Sequence, residues 1–289
     1  MEILRYRAFT TAEPNPASGN PAGVVLDAEG LTDADMLEIA AGLGYSETAF
    51  LTAIEPDAAR VRYFTPRAEI AFCGHATVAS GVALARRRDA APVVRLTTNA
   101  GLVPVEATTE RATLVAVETP IEELDDALLD ELLRALRLDR GDLDPAMRPA
   151  LVHGGNLHPL VAVRAGVLGR LDHDGDAVLR LQDSQGWDGT VPVVERLSAT
   201  RFASRNPFPR GGIREDPATG SAAAGLGAYL RARGYIDVPA TFTVDQGSEV
   251  GRPSLLVVEV PREGRVRVSG TAEEMAAGAS PGDHGDPIR

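Results

Sequence analysis

Cys73-Gly74-His75-Ala76 begins a segment of small residues that ends in Arg86-Arg87-Arg88, and Thr219-Gly220-Ser221-Ala222 begins another that ends in Arg231-Ala232-Arg233. Displacing one on the other by 146 positions sets Gly74 on Gly220, Ala76 on Ala222, Leu84 on Leu230 and Arg87 on Arg233. A repeat of about half the chain predicts two copies of one supersecondary unit. Both segments read as helices, the first over 75–88 with Val78, Val82 and Ala85 along one face, the second over 220–233. A glycine and small side chains at each start leave backbone N–H groups open to a ligand, and the arginines at each end complement the helix dipole. Two such N-termini facing one cleft would make a carboxylate clamp.

Outward from these helices, strand-like and helix-like segments alternate. In the first half 3–9, 49–54, 61–64, 93–97, 102–105 and 112–117 read as strands from their β-branched and aromatic content. Thr32 caps a helix carrying Met36, Ile39, Ala40 and Leu43, and Gly44 ends it. Thr119-Pro120-Ile121-Glu122 has the form of a capping box with proline at the first helical position, which predicts an amphipathic helix through Leu138. In the second half 150–152, 160–163, 191–194, 200–204, 240–244, 255–260 and 266–269 read as strands, and 176–185 as a helix. The boundary near Thr119 divides the chain into halves 1–118 and 119–277, with a disordered tail at 278–289 rich in Gly, Pro and Asp.

Composition narrows the function. The 289 residues are 44% hydrophobic and 24% charged, ordinary values for a globular protein with a sizeable core. The formal charge of −12 disfavours nucleic acid and anionic membrane as partners. All 29 basic residues are arginine. Without lysine there is no Schiff base to a carbonyl or to pyridoxal phosphate, and no phosphate-loop lysine. The single cysteine, Cys73, forms no intramolecular disulfide and no cysteine-rich zinc site. Met1 to Arg5 lacks the basic start and apolar run of a secretory signal, and no long apolar stretch suits a membrane span, so a soluble cytosolic protein is expected.

Several residues could carry chemistry. Glu47, in Tyr45-Ser46-Glu47-Thr48-Ala49-Phe50, sits where a helix end meets an apolar strand; pressed against Tyr45 and Phe50 it would be desolvated and raised toward the range of a general base, or it is a surface glutamate at a strand start. His75 follows Gly74 at a helix N-terminus, where the dipole favours a neutral ring; the alternative is a capping or core histidine. Asp216, before Pro217 and a helix start, is either a functional carboxylate or a structural Asx turn. Cys73 could be activated by its helix N-terminus, but without a second cysteine a buried apolar role is expected. Ser221 lacks a partner base in its local context and reads as a binding group through its hydroxyl and N–H. Asn20-Pro21-Ala22-Gly23 reads as a turn that presents an amide to a ligand. Asp172-His173-Asp174-Gly175-Asp176 departs from a calcium loop at its sixth and twelfth positions and reads as a solvated acidic loop. His153 and His158 flank a loop without a carboxylate partner of known register, so no metal is assigned. Trp187 reads as packing or an interface anchor. No glycine-rich dinucleotide loop follows a strand, and no cofactor is expected.

The chain resembles the PhzF-like family, named for the phenazine-biosynthesis isomerase. The resemblance runs from Ala8-Phe9-Thr10 and Gly19-Asn20-Pro21-Ala22, through Ser46-Glu47-Thr48-Ala49-Phe50, Phe64-Thr65-Pro66 with Glu69, and Cys73-Gly74-His75-Ala76-Thr77. It continues to Glu215-Asp216-Pro217-Ala218-Thr219-Gly220-Ser221-Ala222, Gln246-Gly247 and Gly251-Arg252-Pro253-Ser254. It implies the diaminopimelate-epimerase fold: two pseudo-symmetric α/β domains, each a curled, mostly antiparallel sheet around a central helix, with the site between them. It also implies Glu47 as the acid/base, His75 and Asp216 as orienting groups that assist proton movement, Gly74, Gly220 and Ser221 as carboxylate holders, and a homodimer. Relatives that racemise with two thiols have a cysteine where this chain has Ala218.

The expected function is a cofactor-independent isomerase moving a proton within a small carboxylate-bearing substrate. The rivals are an epimerase or racemase using Glu47 and another base, and a non-catalytic small-acid binder.

Overall fold

In the computed structural model, which describes residues 2–13, 15–88, 93–117 and 119–276, β1 (Ile3–Ala8) and β2 (Asn20–Val25) form an antiparallel pair. α1 (Asp33–Leu43) crosses to β3 (Glu47–Thr52), parallel to β2. β4 (Ala58–Phe64) returns antiparallel and carries the short β5 (Glu69–Ile70) on its edge. α2 (Gly74–Arg88) then crosses to β6 (Val93–Thr98), parallel to β4, and β7 (Gly101–Ala107) and β8 (Arg111–Val115) complete a meander. The disordered tail expected at 278–289 lies outside the described residues.

The second half repeats this path. After β9 (Ile121–Glu123) and α3 (Asp126–Leu136), β10 (Ala150–His153) and β11 (Leu157–Val163) form a hairpin, and α4 (Gly175–Gln185) crosses to β12 (Val193–Ser198), parallel to β11. β13 (Arg201–Arg205) returns, and α5 (Gly220–Ala232) crosses to β14 (Ala240–Gln246), parallel to β13. β15 (Ser254–Val260) and β16 (Arg267–Glu274) end the meander. Hairpin, crossover, return, crossover and meander therefore occur twice, which makes the fold two pseudo-symmetric α/β halves. β16 pairs with both β8 and β1, closing the first set of strands into a barrel. Among the described residues no helix is long and apolar enough to cross a membrane.

The repeated helices are the axes of the two halves. α2 packs against β1, β2, β3, β7, β8 and β16, and α5 against β10, β11, β15 and β16. Residues 74–85 and 220–230 are buried without exception. The expected one-sided stripe on the first helix is thus corrected: a helix enclosed by sheet has no polar face, and small side chains replace periodicity. Close approach explains the glycines. A Cβ at Gly81 would lie 2.7 Å from Val105 Cγ1, and one at Gly225 would lie 2.6 Å from Val152 Cγ2.

Three local expectations need correction. The capping box at Thr119 does not start a helix, because 121–123 are drawn into edge pairing with β10; the helix starts at Asp126, with Asp125 accepting from the Leu128 N–H at 2.8 Å. Asn20-Pro21-Ala22-Gly23 is strand, not turn. Pro21 is tolerated because parallel pairing with β3 begins only at Ala22. The last strand runs past Ser269 to Glu274 because its polar residues find partners: Thr271 Oγ1 lies 2.6 Å from Thr10 Oγ1, Glu273 pairs with Arg7, and Tyr6 donates to Glu274 at 3.3 Å.

Trp187 is buried with Leu132, Leu136, Val161 and Val178 beneath α3 and α4, which settles its role as packing. The Asp172–Asp176 segment is a helix cap: Asp174 accepts from the Ala177 N–H at 2.9 Å, and Asp172 pairs with Arg137 and Arg214.

Candidate active site

The two central helices meet end to end. A Cβ on Gly74 would lie 2.9 Å from Gly220 Cα, and one on Gly220 would lie 3.2 Å from Gly74 Cα. Neither position has room for a side chain. The first intrahelical bonds run from Thr77 N–H to Cys73 and from Ala223 N–H to Thr219, so the N–H groups before them are left for other partners. Opposed dipoles make this junction favourable to negative charge.

Glu47, the first residue of β3, and His75, the second of α2, lie on the wall of this junction with His75 Nε2 3.5 Å from Glu47 Oε2. Glu47 is buried, and its Oε2 has no hydrogen-bond partner. Burial, reinforced by the charge of Asp216, raises its pKa to about 8. The desolvation expected from Tyr45 and Phe50 has a different source. Strand alternation turns Phe50 to the opposite face, where it packs with Met36 and Ala40 of α1. Burial depresses His75 to about 3, so its ring is neutral because it is desolvated, more than because of the dipole. Burial also raises the Cys73 thiol well above its ordinary range, with Glu47 adding to the effect; the helix N-terminus does not make it a thiolate.

Asp216 is held from the other half. Its Oδ2 accepts from Thr219 Oγ1 at 2.6 Å and its Oδ1 from the Asn20 amide at 2.7 Å, while burial pushes its pKa up to about 6 against both bonds. The same Asn20 nitrogen lies 3.1 Å from His75 Nδ1 and 3.3 Å from the Ala218 carbonyl. Asn20 therefore ties β2, α2 and the Asp216 loop together, and its amide is committed inside the protein. Gln246 locks the loop from beneath, donating to the Asp216 carbonyl at 2.6 Å and accepting from Thr219 N–H at 3.1 Å. Glu47, Cys73, Gly74, His75, Asp216, Gly220 and Ser221 line one cavity, which has space for water (≈ 30 Å³).

The profile of the family described as phenazine biosynthesis-like protein matches residues 6–278. The chain belongs to that family. An uncharacterized isomerase of Clostridium acetobutylicum is 33% identical over 275 residues, covering 88% of this chain and 90% of the relative. The trans-2,3-dihydro-3-hydroxyanthranilate isomerase of Pseudomonas chlororaphis is 31% identical over 284 residues, covering 94% and 96%. The crystal structure of a PhzF-family phenazine biosynthesis protein from Bacillus anthracis superposes with a TM-score of 0.80 at 27% identity, covering 96% of this chain and 98% of that one. This phenazine biosynthesis-like protein is thus an isomerase with the fold that its motifs imply.

One neighbour of the site is not apparent from the sequence. His158, on β11, is buried, and its Nδ1 lies 3.0 Å from the Thr190 carbonyl while Nε2 lies 2.9 Å from Ser221 Oγ. A carbonyl only accepts, so Nδ1 carries the proton and Nε2 is bare; the Ser221 hydroxyl must donate to it. Burial lowers His158 to about 4, which keeps the ring neutral. Ser221 does have a partner base, and its hydroxyl turns lone pairs, not its proton, toward the cleft. The signal was sequence distance: Ser221 and His158 meet only because β11 runs alongside α5. His153 ends β10 and is not part of this lining.

Proposed function

We propose that the protein moves a proton within a small, carboxylate-bearing substrate without a cofactor, using Glu47 as a single acid/base. The observation that carries this reading is the Glu47 carboxyl: buried, unpartnered at one oxygen, raised toward neutral pH, and set beside two abutting helix N-termini. As a carboxylate it removes an acidic C–H proton, and as an acid it returns the proton to another carbon. The free N–H groups at Gly74 and Gly220 hold the substrate carboxylate and stabilise charge that spreads onto it. Neutral His75 and Asp216 orient the substrate and assist proton movement, and Asn20 positions both. Ser221 contributes its N–H to the carboxylate, while its hydroxyl accepts from a donor on the substrate such as a hydroxyl or amine.

The working units are the halves 1–118 and 119–277 with the cleft between them, in a cytosolic homodimer. The lone thiol suits a reducing compartment, and the family resemblance carries the dimer. A two-thiol racemase lacks its second sulfur, since Cys73 is the only cysteine and Ala218 lines the cavity.

The test is incubation in deuterated water with trans-2,3-dihydro-3-hydroxyanthranilate and a panel of small unsaturated or hydroxylated acids. Conversion to a double-bond isomer is expected for at least one, with substrate-dependent label at the reprotonated carbon wherever the carried proton exchanges. Failure of every acid to isomerise would refute the reading.

A further inference from the structure

The displacement of 146 positions that pairs Gly74 with Gly220 also sets Glu69 on Glu215, each five residues ahead of its helix glycine. Each glutamate is gripped by an arginine from the strand before it, through the same guanidinium atoms. Arg62, on β4, donates Nε to Glu69 Oε1 at 2.7 Å and Nη2 to Oε2 at 2.6 Å. Arg205, the last residue of β13, donates Nε to Glu215 Oε2 at 3.0 Å and Nη2 to Oε1. In both, Nη1 ties the guanidinium to its own half. It reaches Asp33 of α1 at 2.8 Å in the first, and the Leu168 and Leu171 carbonyls at 3.2 and 2.8 Å in the second. A forked pair of this kind fixes direction as well as distance.

The backbone repeats too. Glu69 pairs antiparallel with Phe64, and Glu215 with Pro207. Alternation then sends each glutamate to its arginine and the next residue, Ile70 or Asp216, into the lining of the cavity. The rest of each segment lines the same cavity, Phe72 and Cys73 in one half and Ala218 and Thr219 in the other, and leads straight into a central helix. Where Gly74 meets Gly220, two positive helix ends face one another. Like ends repel, so the rest of the fold has to hold them together.

We propose that Arg62–Glu69 and Arg205–Glu215 are twin positioning clamps that jointly set the approach of the two helix N-termini, and with it the grip on the substrate carboxylate. The grip rests on the carboxylate reading above; the positioning does not. Burial makes the clamps unequal. Arg205 and Glu215 are 7% and 5% exposed, whereas Arg62 and Glu69 are half-buried. Removing one partner of a buried pair leaves the other uncompensated, and should shift a local opening equilibrium by roughly a hundredfold or more. The same loss in the wetter pair should shift it by roughly two- to fivefold.

Hydrogen exchange of the full chain, read by mass spectrometry over 74–80 and 220–226, tests the positioning without a substrate. Glu215→Gln should speed exchange in 220–226 and, because the helix ends abut, in 74–80 as well. Glu69→Gln should act on both segments by the smaller factor. If Glu215→Gln does not fold, Glu69→Gln and Arg62→Gln carry the test. A rise confined to the half that bears the substitution, an equal rise throughout the chain, or no rise at all overturns joint positioning. Kinetics then test the grip, on trans-2,3-dihydro-3-hydroxyanthranilate or the panel acid that the wild type converts. KM should rise by a similar factor with kcat little changed, since the carboxylate is held alike before and during proton transfer. Exchange coupled across the junction with KM unmoved would keep the clamps and overturn the carboxylate reading instead.

Discussion

Ionising Glu47 should weaken the folded state, and the effect can be isolated. Glu47 is 4% exposed, and burial together with Asp216 raises its pKa from 4.5 to about 8. Between those values the folded protein keeps a proton that the unfolded chain has released, so stability falls as pH rises through that window. The slope is about 1.4 kcal/mol per pH unit, and the whole window amounts to on the order of 5 kcal/mol, part of it shared with Asp216. Glu47→Gln removes the titration while keeping size and shape. Urea unfolding of both proteins at about pH 5 and about pH 8.5 gives the difference directly, since groups common to both largely cancel. The variant should gain several kcal/mol on the wild type between the two conditions. A difference that does not grow with pH would mean that Glu47 is not desolvated in the folded state, and the argument for its acid/base role would lose its basis.

Gly74→Ala places a Cβ 2.9 Å from a backbone atom of Gly220; thermal denaturation should show a loss of roughly 1–3 kcal/mol, and turnover should fall as the helix ends separate. Cys73→Ala should keep most turnover of any identified substrate, because no second thiol exists for a two-cysteine exchange; a loss of several orders of magnitude with folding intact would restore thiol chemistry. Ser221→Ala and His158→Gln should be non-additive in stability by roughly 0.5–3 kcal/mol. Additivity in the double variant would show that the Ser221 proton is not on His158.

Local chemistry was legible in the sequence where a residue acts within its own element. The Thr32 cap and the Gly44 stop stand as the sequence predicts, with Gly44 at φ 68°, and the repeat of small-residue helices predicts the two axes of the fold. Legibility failed where tertiary pairing outweighs local preference. Thr119-Pro120 has good cap chemistry, yet β10 needs an edge partner and takes 121–123 for it. Asn20-Pro21 has turn chemistry, yet Gly23 is in β2 because Leu43 and Thr48 come so close that a Cβ would lie 2.7 Å from the one and 2.8 Å from the other. Within the site, Glu47, His75 and Asp216 could be named from their motifs, but the sources of their environments could not. Phe50 does not desolvate Glu47, because side chains alternate along a strand. Cys73 is not activated by its helix, because burial outweighs the dipole. His158 carries no motif of its own, and Gln246 stands in a motif of the resemblance that assigns it no role; each matters for what it holds, Ser221 in one case and the Asp216 loop in the other.

The most direct test of the central claim is the turnover of Glu47→Gln on a substrate identified by the isomerisation screen. Glutamine keeps the size and much of the hydrogen bonding of glutamate but cannot take up the substrate proton. Turnover should fall by roughly a hundredfold to ten-thousandfold, while calorimetry should still detect binding of the substrate acid at the helix junction. Near-normal turnover in that variant would contradict the account and move the search for the proton carrier to His75 and Asp216.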